Sequence, residues 1–460
     1  MKMKELQYKN DVDQELIVNE PQLNLKFSGQ SQSIMNTNKK DKSNTLNVLS
    51  LFSGCGGMDL GFEGGFTVHN ASVNEELKPD FIEEIINDKL VKLKKTRFKT
   101  VFANDILSDA RNAWVNHFQK EEHNSEMFHT DSIVDLVKLH KSGTEVFPKN
   151  IDIVTGGFPC QDFSISGKRN GFESHKNHKG EFNVNESVSE ETRGKLYMWM
   201  REVIEITKPK IFIAENVKGL VNLSNVKEII QRDFSSIGKN GYIVLNPKVL
   251  HAADYGVPQS RERVIFIGIK KSALKKSALE ELEKHSISEK YNPYPNRTHS
   301  YTIKDSHLKN PVQLKEIFSL VEEPEVSNDL SQKNYSKAKF MGKHCQGQIE
   351  VKLNGIAPTI RAEHHGNIEF RRLDASNGGH YTDELTAGLE QRRLTPRECA
   401  LIQTFPIDYE FVIENKNGRK GSYLISPSQS YKIIGNAVPP LLAYNLAKRL
   451  EEVWPLFFKK

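Results

Sequence analysis

The stretch Ile151-Asp152-Ile153-Val154-Thr155-Gly156-Gly157-Phe158-Pro159-Cys160-Gln161 decides how the rest of the chain is read. Its first half is apolar and β-branched, as a buried strand requires. It closes in a Gly/Pro turn that carries a thiol. In an open α/β sheet, ligands bind at the carboxyl ends of the strands. A lone Cys in that place serves equally well as a small buried apolar residue. Two further apolar runs end in a similar way. The run 211–214 leads into Glu215-Asn216-Val217, and the run 46–52 leads into the turn Phe52-Ser53-Gly54-Cys55-Gly56-Gly57. A thiol, a carboxylate and a glycine loop at three strand ends point to one site.

Between 46 and about 270, strand-like runs (101–103, 151–155, 211–214, 242–245, 264–269) alternate with helical patterns such as 108–118 and 196–207. This alternation predicts an α/β fold, with a parallel sheet flanked by helices. Polar insertions interrupt it at 75–99 and 171–192, and the second forms a candidate loop over the Cys160 turn. Residues 1–44 are rich in Asn, Gln, Lys and Ser and are read as a disordered tail. The pattern weakens over 271–390, which is expected to form a second, smaller domain. Helical signals return in 391–460, where Pro439 and Pro440 suit a helix start.

The bulk numbers exclude several classes. The 460 residues have a mean hydropathy of −0.55, and no apolar run approaches the roughly 18 residues that span a bilayer. The N-terminus lacks the apolar stretch of a secretory signal, so a cytoplasmic protein is expected. The four cysteines are scattered, without CxxC spacing, as suits a reducing compartment and no bound metal. A net charge of +5 permits nucleic-acid binding without requiring it.

Each candidate residue has a structural alternative. The glycine turn is either a cofactor loop or a simple tight turn. Asp105 and Asp131, after the next two β-type segments, either take a ribose hydroxyl and an adenine amine or cap helices. Cys160 acts as a nucleophile only with thiolate character. Glu215 acts as a proton partner only if burial raises its pKa; otherwise it is a salt-bridged structural acid. Arg261 and Arg263, alternating in Gln259-Ser260-Arg261-Glu262-Arg263, share one face of an extended strand, exposed or functional.

Taken in order, these segments resemble the bacterial DNA (cytosine-5)-methyltransferases of restriction–modification systems, from about residue 46 to 455. Phe52–Gly57 looks like that family's cofactor loop, Asn104-Asp105 its ribose step and Asp131 its adenine contact. Pro159-Cys160-Gln161 looks like its nucleophile motif, and Arg193-Gly194-Lys195-Leu196-Tyr197 the segment after its mobile loop. Glu215-Asn216-Val217 matches its Glu-Asn-Val, and Gln259, Arg261 and Arg263 its Gln-x-Arg-x-Arg. Arg393-Leu394-Thr395-Pro396-Arg397-Glu398 matches the helix after its recognition domain, and Gly435-Asn436-Ala437-Val438-Pro439 its last motif. The chain departs from the family at Ile106, where many members place an aromatic, and in its two insertions.

The resemblance implies a Rossmann-like methyltransferase sheet at 45–270, a target-recognition domain at 271–390 and a return to the catalytic domain at 391–460. It implies methyl transfer from S-adenosylmethionine to C5 of a flipped-out cytosine in double-stranded DNA. Cys160 would add to C6, Glu215 would hold N3 and the amine, Arg263 would contact O2, and Arg261 would support Glu215 or the loop. The donor would be held by Phe52, Ser53, Gly54, Gly56, Gly57, Asp105, Ile106, Asp131, Ser132, Pro159, Leu196, Asn436 and Val438. DNA contacts would come from Gln161, Ser164, Lys168, Arg169, Thr359 and Arg361, with Lys337, Lys339, Lys343, Arg371, Arg372, Tyr335, His364 and His365 as further candidates. A monomer is expected, with a cognate restriction endonuclease as its genetic partner. Two rivals share the fold: a tRNA cytosine-5 methyltransferase, which usually carries a Cys-Phe-Thr tripeptide absent here, and a non-catalytic DNA-binding relative, which would not need Cys160 and Glu215.

Overall fold

The computed structural model describes residues 45–459 except 122, 160–195, 223–225, 338, 343–347 and 363–368. Along the chain come β1 (Leu46–Leu51), α1 (Gly57–Glu63), a small antiparallel group of β2 (Thr67–His69), β3 (Ile82–Ile85) and β4 (Leu90–Leu93), then β5 (Phe98–Asn104), α2 (Ser108–Phe118), β6 (Phe128–His129), α3 (Ile133–Lys141), β7 (Ile153–Gly156), α4 (Leu196–Thr207), β8 (Ile211–Val217), α5 (Val226–Ser235), β9 (Tyr242–Val244), β10 (Lys248–His251) and β11 (Glu262–Lys270). Eight of these strands form the main sheet, in the order β10-β11-β8-β7-β1-β5-β6 with β9 also on β11.

The strands read as continuous apolar runs because both faces of the sheet are covered. Val48, Ile211, Ile213, Ile265 and Ile267 point into one core with α1 and α2. Leu49, Leu51, Phe212, Ala214 and Phe266 point into the other, with α3, α4 and α5. The period-two alternation of strand side chains divides each run between the two layers.

The sheet is not wholly parallel. Strands β6, β5, β1, β7 and β8 run parallel, whereas β11 is antiparallel to β8, β9 and β10. The link from β10 to β11 holds only a short 3₁₀ turn (Ala252–Tyr255), too little chain for a parallel crossover. The 75–99 insertion carries ordered strands, β3, β4 and the first residues of β5, rather than a polar loop alone.

Later elements are short: α6 (Lys276–Leu282), α7 (Leu314–Phe318), α8 (Leu330–Lys333), β12 (Ile349–Glu350), β13 (Glu369–Arg372), α9 (Thr382–Thr386) and β14 (Arg392–Arg393). Then come α10 (Pro396–Ile402), β15 (Ile413–Glu414), β16 (Tyr423–Ile425), α11 (Pro427–Asn436) and α12 (Pro440–Phe457). Helix α10 starts where a Thr395/Glu398 capping box meets Pro396, and α11 repeats the device with Ser426, Gln429 and Pro427. Helix α12 returns to the catalytic sheet and lies against α1. The approach is close: a Cβ on Gly57 would stand 2.2 Å from the Val438 carbonyl oxygen.

Two of the arginines in the 271–390 region are turned inward. Arg372 is 1% exposed and pairs with Glu323 (2.6 and 2.9 Å) and Glu384 (2.8 Å). Arg392 joins the same Glu323 at 3.0 Å and grips Glu398 through two bonds. Arg371 is buried against Glu384. Arg371 and Arg372, expected on the DNA side, are therefore internal ties. Their partners lie up to 49 residues away, which local sequence reading does not connect. Lys337 and Lys339 are exposed; Lys343, His364 and His365 lie outside the described residues.

Candidate active site

Beside β1 the sheet order reverses direction, so the carboxyl ends of β1, β5, β7 and β8 part around a crevice. A cavity of about 390 Å³ occupies it, within the range that holds a small-molecule cofactor. Its wall includes Ser50–Gly54, Asn104–Leu107, Gly157–Pro159, Glu215–Val217 and Arg263, with Leu196 from α4 and Lys432–Val438 apart from Ile434 from the C-terminal segment.

The β1 turn is built under strain. Phe52, a bulky residue, has φ 53°, and Gly56 has φ 78°. A side chain on Gly56 would meet Trp114 and Phe118 at 2.7 Å. Gly56 and Gly57 do not line the cavity: the first makes room for an aromatic pair and the second for the C-terminal segment. The conformation of the loop is held by Asp105, whose carboxylate accepts the Gly54 N–H at 3.0 Å and the Leu107 N–H at 2.9 Å. Burial raises the Asp105 pKa, while these two bonds and Lys432 act against it.

The residues present fit adenosylmethionine. Asp105 offers an acid to a diol. Ile106 is 43% exposed, and with Leu107, Ala110 and Ile133 it gives apolar surface for a flat ring. Ser132, Pro159, Leu196, Asn436 and Val438, named from the sequence as donor residues, also line the cavity. Asp131 does not. It is exposed, and its carbonyl accepts from Asn104.

On the opposite wall Glu215 is 8% exposed and pairs with Arg263 at 2.7 Å. The register explains the contact. Glu215 faces Ile265 across the antiparallel pair, which places Arg263 diagonally opposite on the same face. Burial pushes the Glu215 pKa up; Arg263 and Arg261 pull it back, and the net shift is upward. Gly157 sits against this acid, since a Cβ there would lie 2.8 Å from Glu215 Oε2. Asn216 donates to the Phe158 carbonyl at 3.1 Å and accepts the Val217 N–H, which fixes the turn ahead of Cys160. Cys160, Gln161, Ser164, Lys168 and Arg169 lie outside the described residues, as do Arg193, Gly194 and Lys195.

Arg261 stands behind the wall, not in it. It is fully buried and donates to the carbonyls of Ile360, Gly435 and Ala437 at 2.8–3.0 Å. It braces three segments, and its charge acts on Glu215. Thr359 donates its hydroxyl to the Ser260 carbonyl. Arg361 is half-buried, and among the described residues its Nη1 is enclosed without a hydrogen-bond partner. Neither residue stands out as a free DNA contact. Buried Glu369, beside Arg393 and Arg361, has its pKa raised by burial to about 7.

Sequence reading missed Ser50, Asp59 and Lys432. Asp59 carried one signal: it is an acid inside a helix whose neighbours Met58, Leu60 and Phe62 are all apolar. Lys432 carried none. Among the described residues no three His, Cys, Asp or Glu side chains gather as a metal site, and no helix is long and apolar enough to cross a membrane.

The sheet, its reversal point and the cavity define the class: an adenosylmethionine-dependent methyltransferase fold. The solved Dnmt2 methyltransferase of S. pombe shares it, with a TM-score of 0.50 at 15% identity, covering 90% of this chain and 99% of that one. The sequence matches the C-5 cytosine-specific DNA methylase family over residues 86–452. It is 31% identical over 429 residues to the type II methyltransferase M.BspRI of Lysinibacillus sphaericus, covering 92% of this chain and 85% of that protein. It is 30% identical to M.BsuRI of Bacillus subtilis, covering 88% and 79%. The chain belongs to the C-5 cytosine-specific DNA methylase family and is a DNA (cytosine-5-)-methyltransferase, with adenosylmethionine as its methyl donor.

Proposed function

We propose that this enzyme methylates C5 of a cytosine flipped out of a specific duplex sequence, through a covalent bond from Cys160 to C6. The observation that carries the reading is the buried Glu215–Arg263 pair, set in the cavity wall beside the turn that leads into Cys160.

Cytosine C5 is a poor nucleophile while the ring is aromatic. Addition of the Cys160 thiolate to C6 breaks the aromaticity and leaves C5 enamine-like. Glu215 holds N3 and the exocyclic amine, and its raised pKa suits it to place a proton on N3. Arg263 orients Glu215 and reaches the base O2, while Arg261 holds the strand that carries Arg263. Bound adenosylmethionine supplies an electrophilic methyl on sulfur. C5 takes that methyl, loss of the C5 proton to water expels Cys160 as a thiolate, and the N3 proton returns to Glu215 as the ring is restored. A stacked base hides C6, so flipping is required, at a cost of a few kcal/mol.

Phe52, Ser53, Gly54, Asp105, Ile106, Ser132, Pro159, Leu196, Asn436 and Val438 form the donor pocket in this reading, with no metal involved. Gln161, Ser164, Lys168 and Arg169 contact the DNA in this reading. The 271–390 segment selects the flanking bases, because a flipped cytosine is the same in every target. The protein works as a monomer and protects host DNA from a cognate endonuclease. Bisulfite sequencing of DNA from a host expressing the protein tests this reading. It predicts one fully methylated sequence context; absence of 5-methylcytosine in DNA, with label in tRNA, would overturn it.

A further inference from the structure

The mechanism leaves several buried acids unused, and one of them is bonded to the wall of the donor cavity. Asp59, in the first turn of α1, is 1% exposed. Its Oδ2 accepts the Trp114 indole N–H at 2.8 Å, and its Oδ1 accepts the Ser50 hydroxyl at 2.5 Å. Ser50 Oγ in turn accepts the Ser53 hydroxyl at 2.9 Å, which also reaches the Ser50 carbonyl at 3.1 Å. Ser53 Oγ accepts the Asn104 N–H at 3.1 Å. Ser50 and Ser53 both line the donor cavity.

We propose that Asp59 is a positioning residue for the methyl donor, fixing the direction of a hydroxyl relay from Ser50 to Ser53 at the cavity wall. The proposal rests on the donor-pocket reading above. With the carboxylate ionised, every hydroxyl in the relay donates toward Asp59. Ser53 Oγ then spends one lone pair on Asn104 and keeps the other for an N–H or O–H of the bound donor. With Asp59 neutral, its own hydrogen points at Ser50 Oγ. The Ser50 hydroxyl must turn onto Ser53, both Ser53 lone pairs are filled, and the cavity loses an acceptor.

The surroundings suit a switchable acid. Burial raises the Asp59 pKa to about 6, against the pull of the Ser50 and Trp114 bonds. Glu63 on the same helix pushes it up, and His123, paired with Glu63 at 2.9 Å, pulls it down. Cys55 and Tyr409 nearby are kept neutral by burial, and Asp105, bonded to Gly54 beside Ser53, has its own pKa raised by burial. Ionised Asp59 is a costly interior charge at neutral pH, and such groups cluster at functional sites.

Calorimetry of adenosylmethionine and adenosylhomocysteine binding from pH 5.5 to 8 tests the proposal. Wild-type affinity should fall as pH drops through about 6. Asp59→Asn should bind about tenfold more weakly at pH 8, the loss of roughly one hydrogen bond, with a flatter pH profile. Ser50→Ala leaves no hydroxyl that can turn onto Ser53 and does not touch Trp114, so it should keep the pH 8 affinity and lose the fall below pH 6, which keeps the test sound if Asp59→Asn does not fold. A wild-type pH profile in folded Asp59→Asn or in Ser50→Ala would overturn the proposal. Wild-type protein that binds neither compound would instead overturn the donor-pocket reading, and this proposal with it.

Discussion

Glu215 holds its proton to higher pH than an exposed glutamate because burial outweighs its pairing with Arg263 and Arg261. A proton donor to N3 needs that form, so turnover should fall as pH rises through its pKa. Arg263→Gln removes the main counterweight, the pKa rises further, and the alkaline limb of kcat moves to higher pH; a pH–rate profile checks the direction. Glu215→Gln still hydrogen-bonds but carries no proton to give. It should retain DNA binding in a gel-shift assay and lose about 10²–10⁴-fold in methyl transfer. Asp59 makes a stability prediction with a definite sign. Its folded pKa of about 6 exceeds the ordinary 3.8, so the fold favours the neutral form. That contribution is full below about pH 4 and is lost as pH rises through 6, amounting to about 3 kcal/mol. Asp59→Asn stays neutral, so thermal melts should show it gaining on wild type between pH 4 and 7.

At the scale of elements, the donor pocket depends on how closely α1 meets the segment ahead of α12. Gly57→Ala places a methyl against the Val438 carbonyl, where no flexible side chain yields. It should lower stability by about 1–3 kcal/mol and weaken donor binding, while DNA binding in the absence of donor is spared; melts and calorimetry separate the effects. The sequence made several elements legible. The helical periods at 108–118 and 196–207 coincide with α2 and α4, and the segment Arg393–Glu398, matched to the family's helix after the recognition domain, leads into α10. Strand direction was not legible, because an apolar run looks the same parallel or antiparallel. The reversal of β11 comes from a connection too short for a crossover, and that reversal brings Arg263 to Glu215. Asp131 and Gly56 show the opposite limit. Motif position brought them near the loop, but packing turned one outward and gave the other to Trp114.

Across the whole molecule, charge divides into an internal network and an outer surface. Glu323, Glu384 and Glu398 neutralise Arg371, Arg372 and Arg392, and the guanidinium groups of Arg372 and Arg392 hold the Glu323 carboxyl down at about 2 despite its burial. Arg372→Ala should therefore cost roughly 3–5 kcal/mol of stability, as breaking a buried pair does. The slope of DNA affinity against salt concentration should stay unchanged, because no phosphate contact is lost. The central claim is that Cys160 attacks the target base, and one measurement addresses it directly. Duplex DNA carrying 5-fluorocytosine in the methylated context has no C5 proton to release, so the adduct is trapped after methyl transfer. With adenosylmethionine present, wild-type protein should form a denaturation-resistant complex with DNA, and Cys160→Ser should form none. A complex that survives Cys160→Ser, or none at all with an enzyme that methylates the unmodified site, would contradict the account.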